Sequence, residues 1–284
     1  MKNKHCCMLW GFLLVAGLLV FSVPARAEMY VEAYLGGVQG ANAGMDFGNN
    51  HPGSFGGTTF QTSEQHHVSG KLDPAVIGGL KIGTWFVQEG FLGMNYPGWM
   101  KYLGFYLDFS YHRLDFRNQL GHSVAIDNVV PAPGPNPTTN NFITEGTAAT
   151  LAFMFSGRYG FLPDSEVPFG RLQPYVAVGP AILFTSQTPK LSSTSIFNPP
   201  PGVFNPYTIK PGSDSTAVLA LGVDAGIRWM CLKNVSLDLS LKYRYAEPRF
   251  SYTYNDPLDH TTQSFSLNPT YHLYSGQMGA AYHF

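Results

Sequence analysis

Charge is scarce in this sequence, cysteine is scarcer, and a second long apolar run is missing; each shortage removes a class of protein. Charged residues make up 12% of the 284 positions, about half of the roughly 25% usual in soluble domains. The 17 basic residues are matched by 18 acidic ones, so no basic excess exists to hold a nucleic acid. The three cysteines are Cys6, Cys7 and Cys231. Two of them sit in the extreme N-terminal segment, and the remainder of the chain cannot form an intrachain disulfide. Beyond the first 25 residues no stretch of 18 apolar residues is available to span a bilayer as a helix. Glycine is abundant, at 31 residues, yet no nucleotide-binding glycine pattern, thiol pair or haem motif stands in a usable context.

What is present begins with a targeting segment. Lys2 and Lys4 form a basic region, Met8 to Val20 an apolar one, and Pro24 precedes the small-x-small site Ala25-Arg26-Ala27. This pattern predicts a cleaved signal peptide over 1–27; the alternative is an uncleaved N-terminal anchor. Cys6 and Cys7 precede the apolar run, which is not the order of a lipoprotein. Lys2, Lys4 and Arg26 leave with the segment, so 14 basic residues then face 18 acidic ones. Cys231 is expected to be a free thiol near a turn.

The rest of the chain alternates polar and apolar residues at period two in eight segments, near 28–39, 74–87, 101–114, 146–160, 172–185, 215–230, 234–247 and 269–284. Each exceeds the roughly 9–11 tilted residues a strand needs to cross a bilayer. In the seventh segment Val235, Leu237, Leu239, Leu241, Tyr243 and Tyr245 share one face, and Ser236, Asp238, Ser240, Lys242 and Arg244 share the other. A soluble sandwich could show one such strand. Here the other segments keep the same rule: Glu32, Lys81, Asp108, Arg158, Asp224 and Arg228 all fall on the non-aliphatic face of their strands. A charge turned to lipid at mid-depth costs about 2–4 kcal/mol, which gives the segregation a physical cause. Arg113, at a strand end, is the exception and is expected at headgroup level. The fifth segment, Pro174 to Phe184, is apolar on both faces and has no clear phase. The intervening connections run about 34, 31, 29 and 21 residues at one end against about 13, 11 and 3 at the other, the asymmetry of outer-membrane barrels.

The fold class predicted is all-β: an eight-stranded antiparallel up-and-down transmembrane β-barrel over 28–284, with four long extracellular loops. Trp85, Trp99 and Trp229 map to the end with the short connections and, with Tyr282, are expected as membrane-interface aromatics. Phe284 ends the chain, with Tyr282, Ala280, Met278, Gly276 and Tyr274 at alternate positions before it. This resembles the C-terminal signature of outer-membrane β-barrels, which implies that Tyr282 and Phe284 are read by the barrel-assembly machinery. The segments 30–37, 79–83 and 173–179 resemble the opacity/OmpA-like barrel superfamily, whose members share a scaffold rather than a reaction. No peptidoglycan-binding domain is expected after the barrel.

Eight strands enclose a lumen that side chains can fill. The inward set, Glu32, Asp108, Asp224 and Asp238 against Lys81, Arg158, Arg228, Lys242 and Arg244, is close to neutral. That balance favours an ion-pair network over a single-sign ion pathway or a wide pore. The expected protein is therefore a monomeric surface barrel in the bacterial outer membrane, surrounded by lipid and lipopolysaccharide, with its loops available for a surface ligand. Gly- and Asn-rich loop one contains His51, His66 and His67; loop two Pro131, Pro133, Pro135 and Pro137; loop three Phe197, Pro199 to Pro201, Phe204 and Tyr207. His66 and His67, adjacent on an extended segment, point apart and predict no metal site, and no cofactor is expected. Two other readings stand beside this one. A narrow conduit for small hydrophobic molecules, as in OmpW-like barrels, would use the apolar fifth strand and the small residues Gly79, Gly83, Ala148 and Ala152. A lipid A-modifying enzyme would need a nucleophile and base, for which Ser110 with His112, or His272 with Ser275, are the nearest approaches.

Overall fold

The computed structural model describes residues 28–41, 43, 45–55, 58–87, 96–127, 136–195, 207–255 and 262–284. The predicted signal segment and the loop residues Phe197, Phe204, Pro131, Pro133, Pro135 and Pro199 to Pro201 lie outside them. Among the described residues fourteen strands are present: β1 (Glu28–Gly40), β2 (Met45–Phe55), β3 (Thr58–Val68), β4 (Ala75–Trp85), β5 (Leu103–Arg113), β6 (Phe116–Asp127), β7 (Asn136–Arg158), β8 (Leu172–Ser195), β9 (Tyr207–Ile209), β10 (Asp214–Leu232), β11 (Val235–Ala246), β12 (Phe250–Asn255), β13 (Thr262–Pro269) and β14 (Tyr271–His283).

Eight of them close a barrel. The antiparallel ladder runs β1–β4–β5–β7–β8–β10–β11–β14 and returns to β1, where Tyr30 pairs with His283 and Gly40 with Leu273. These are the eight segments that the period-two alternation marks out. Closure leaves no free edge in the wall, so every ladder group finds a partner without water. The wall is inverted relative to a water-soluble protein. Leu35, Val76, Leu219 and Leu241 are each about 70% exposed or more, whereas Glu32, Lys81 and Asp224 are fully buried. An aliphatic side chain left in water forgoes about 1.5–3 kcal/mol, so an outer surface of this kind is built for hydrocarbon. The fifth segment gains its phase here: Tyr175, Ala177, Ala181 and Leu183 point inward, Val176, Val178 and Phe184 outward.

The long connections, expected as extracellular loops, carry strands in their described parts. Six further strands occupy them. β2 and β3 form a hairpin, β13 pairs with β2 and β12 with β13, β6 pairs with β7, and β9 pairs with β8. β7 begins ten residues before the predicted segment and β8 ends ten after it, so both strands rise above the wall as a polar ribbon. Their Thr- and Ser-rich extensions read as loop because they lack apolar alternation, yet threonine suits a strand. Within this cap Leu72, Leu114, Phe116, Phe142, Phe250, Phe265, Leu267 and Tyr271 are buried in one apolar core. The alternation of Phe250 and Tyr252 with Ser251 and Thr253, and of Phe265 and Leu267 with Ser264 and Ser266, carried the signal for β12 and β13.

Inversion of the wall yields a direct test. Leu239 is exposed in the middle of β11. Leu239→Arg is expected to destabilise the bilayer-folded protein by about 2–4 kcal/mol, read as a shift in reversible denaturant unfolding from lipid vesicles. An unchanged midpoint would mean that this face meets water.

Candidate functional site

The lumen collects the charges because strand parity sends them there, and register then sets opposite charges side by side. Glu32 lies opposite Lys81, and Lys81 opposite Asp108. Across the barrel Asp224 lies opposite Lys242 and Arg228 opposite Asp238. Such cross-strand pairs are the favourable arrangement on one face of a sheet. All nine charges predicted for the lumen are buried, none more than 6% exposed.

Lys81 is the hub. Its Nζ lies 2.8 Å from Glu32 Oε1, 3.4 Å from Asp238 Oδ1 and 3.7 Å from Asp224 Oδ2, beside the rings of Tyr34, Tyr106 and Tyr175. Arg228 completes the layer, with Nη2 donating to Glu32 Oε2 at 2.6 Å and Nε 3.5 Å from Asp238 Oδ2. Its guanidinium sits 4.1 Å from the centre of the Tyr30 ring, a cation–π contact strengthened by desolvation. Tyr106 OH donates to Asp224 Oδ2 at 2.7 Å and Tyr175 OH to Asp238 Oδ1 at 2.8 Å. Nearer the cap, Asp108 accepts from Tyr34 OH at 2.5 Å, Lys242 Nζ at 2.6 Å and Arg244 Nη2 at 3.3 Å. Glycine makes room for the tyrosines. A Cβ at Gly79 would fall 2.3 Å from Tyr34 OH, and one at Gly83 2.6 Å from the Tyr30 ring. The space that these two glycines were expected to leave for a conduit is therefore occupied.

At the end with the short connections Arg158 forms a third layer. Its Nη1 donates to Glu28 Oε1 at 2.8 Å and to Gln173 Oε1 at 2.9 Å, and its Nη2 to Glu28 Oε2 at 2.5 Å. The guanidinium is held between the rings of Trp85 and Phe169, each 4.1 Å away. Two corrections follow. Trp85, expected at the membrane interface, is only 3% exposed and faces the lumen. It shares the parity of Lys81 and Gly83, which the sequence contains and which outranks its position near a strand end. Glu28 was missing from the predicted network although it shares the parity of Glu32; with it, five acids meet five bases. Beyond Arg158 the β7–β8 connection is pinned by Asp164. The backbone N–H of Val167, the Arg171 guanidinium and the N–H of Glu166 hold its carboxyl below the usual range.

The remaining candidates are placed as follows. Trp99, Trp229, Tyr282 and Phe284 are exposed, and the Phe284 N–H donates to Met29 O at 3.0 Å across the seam. Arg113 is exposed and paired with Asp115. His51 lies on β2, and His66 and His67 on β3. Cys231 is half-buried beside the turn between β10 and β11. Ser110 and His112 are both buried, but His112 Nδ1 donates to Arg113 O at 2.8 Å and Ser110 Oγ has no hydrogen-bond partner among the described residues. His272 Nδ1 shares a hydrogen bond with Tyr243 OH on the face away from Ser275. A third trio, unseen in the sequence, brings Ser236 Oγ within 2.8 Å of His283 Nε2, with Glu28 Oε1 3.9 Å from Nδ1. Ser236 is fully buried and both Glu28 oxygens bind Arg158. The trio lacks an exposed nucleophile and a free orienting carboxylate, so it packs the lumen end.

Neither a family model nor a curated protein sequence matches the chain. Among solved structures it is similar to the outer membrane protein OprG of Pseudomonas aeruginosa, at 12% identity over 92% of this chain and 97% of that one, TM-score 0.44. A major outer membrane protein of Thermus thermophilus is similar at 14% identity, over 91% and 100%, TM-score 0.40. Neisserial surface protein A is similar at 10%, over 90% and 97%, TM-score 0.31.

Removing the hub cation tests the network. Lys81→Met leaves Glu32, Asp224 and Asp238 facing one another in the dry lumen, and breaking a buried ion pair in this way costs about 3–5 kcal/mol. The denaturant midpoint of the bilayer-folded variant should fall accordingly, while Lys233→Met, at an exposed turn, should leave it in place.

Proposed function

We propose that this chain is an integral outer-membrane barrel of a Gram-negative cell that spans the bilayer without a wide pore and presents a folded cap at the surface. In this reading residues 1–27 direct export and are removed, Tyr282 and Phe284 serve recognition by the assembly machinery, and the barrel works as a monomer among outer-leaflet lipids and lipopolysaccharide. The likeness of its strands to the opacity/OmpA-like superfamily is part of the same proposal.

One observation carries the absence of a pore. The space enclosed by Tyr30, Lys81, Trp85, Tyr106, Tyr175 and Arg228 is too small for a water molecule. Tyr106 reaches Asp224 and Lys242 reaches Asp108 from different walls, so these contacts cross the lumen. An ion would have to break at least one of these pairs to pass, at several kcal/mol. The same layers stand against a continuous apolar conduit, which would need the middle of the lumen free of charge. No reaction is proposed, because the Ser–His neighbours lack the geometry that acyl transfer requires. Function then rests with the cap, whose strands β12 and β13 turn Ser251, Thr253 and Ser264 outward from an apolar core, as a surface for adhesion or other contact suits.

Planar-bilayer recording decides between plug and channel. Purified wild-type protein should show no stable large conductance, whereas Arg228→Ala with Tyr30→Ala, which empties the central layer, should give small fluctuating openings. A steady conductance from the wild-type monomer would overturn the reading.

A further inference from the structure

Most glycines in the wall are accounted for by what a side chain would strike. A Cβ at Gly36 would fall 2.1 Å from Gly276 O, one at Gly179 1.9 Å from Phe153 O, and one at Gly226 2.7 Å from the Tyr175 ring. Gly37 and Gly276 differ. They lie directly opposite each other in the β1–β14 ladder. A Cβ at Gly37 would meet nothing within 4 Å, and one at Gly276 only Leu241 Cδ2 at an ordinary 3.7 Å. Neither has a left-handed φ. Glycine in a strand costs stability relative to any residue that could pack, and neither the backbone nor the lumen requires it at these two positions.

Their missing side chains open a groove of about 530 Å³ on the outer wall. Its floor is strand backbone, Leu241 and Val223 flank it on one side and Ala75 on the other, and Tyr243 and Tyr274 close it toward the cap. Tyr243 OH and His272 Nδ1 are hydrogen-bonded at 2.9 Å at that end, so the apolar trough finishes at a polar, hydroxyl-bearing shelf. We infer that this groove is a binding site for one acyl chain of a membrane lipid, with the lipid's polar end beside Tyr243 and His272.

The inference rests on the membrane reading above and commits to a slender occupant. An empty trough facing hydrocarbon forfeits dispersion contacts along its whole floor, and a chain laid on bare backbone recovers them, as close approach at small residues does between helices in lipid. A second barrel is the poorer fit. A stable protein interface needs about 800 Å² from each partner, and Leu35, Val76 and Leu241, which stand out from the wall around the glycines, would hold a convex neighbour away from the floor.

Native mass spectrometry of the protein extracted from its own membrane in mild detergent tests this. Wild-type barrel should retain one lipid per chain through delipidating washes. Gly276→Leu and Gly37→Leu should lose that adduct, and Ala225→Phe, filling the trough from β10, should lose it too if either glycine variant fails to assemble. Ala280→Leu, outward on β14 away from the trough, should keep it. Folding of each variant is checked by heat-modifiable migration. Equal retention in filled and unfilled proteins overturns the site, and so does a dimer that dissociates on Gly276→Leu, which would assign the face to a second copy. Wild-type protein that enters vesicles but carries no adduct refutes the groove alone; protein that does not enter vesicles refutes the membrane reading beneath it.

Discussion

A charge has a choice of surroundings in a water-soluble protein, and in a barrel wrapped in hydrocarbon it has one. Turned outward at mid-depth it costs several kcal/mol; turned inward it is stable only beside a partner. The other features described here follow from that restriction. Period-two strands supply an inward face, and register pairs Glu32 with Lys81 and Arg228 with Asp238. Eight strands bring opposite walls close enough for Asp108 to bind Lys242 and Arg244. Tyrosine fills what the ions leave, since its ring tolerates a neighbouring cation and its hydroxyl can donate to a carboxylate.

The parity of a strand is a strong signal, and where it was followed the reading was accurate. Nine inward charges spread over six strands were legible from alternation alone, as were the eight wall strands. Errors arose where another cue displaced parity. Trp85 was assigned by its place near a strand end, although residues 81, 83 and 85 share a face. Glu28 was passed over because it begins the first segment, although residues 28, 30, 32 and 34 form one inward row. Other strand segments of the cap escaped for a different reason: those without apolar alternation, such as the start of β7, gain strand form from the ladder beside them, which no local window contains.

The molecule has two interiors with different chemistry. Inside the wall the filling is ionic and aromatic, and it is specific, since each carboxylate has a designated cation or hydroxyl. Inside the cap it is aliphatic and aromatic, from Leu72 and Phe116 to Phe250 and Leu267, and resembles the core of a small soluble domain. The first needs the barrel's closed geometry to exclude water; the second makes its own exclusion by apolar burial. Surface sequence in the cap can therefore change without touching the ion pairs, which is the usual division of labour between a rigid scaffold and its connections.

The seam between β1 and β14 joins strands from the two ends of the barrel domain, and the ion pairs reach as far. Arg228 and Glu32 are 196 residues apart, Lys81 and Asp238 157. A half-built sheet holds the Glu32–Lys81 pair but lacks Arg228 for the first and Asp238 for the second. Contacts so distant in the chain form late and slowly. The network thus acts as a timer as well as a filling: it is complete only when β10 and β11 have joined β1, β4 and β5, so the charges of the first strands find their full set of partners late.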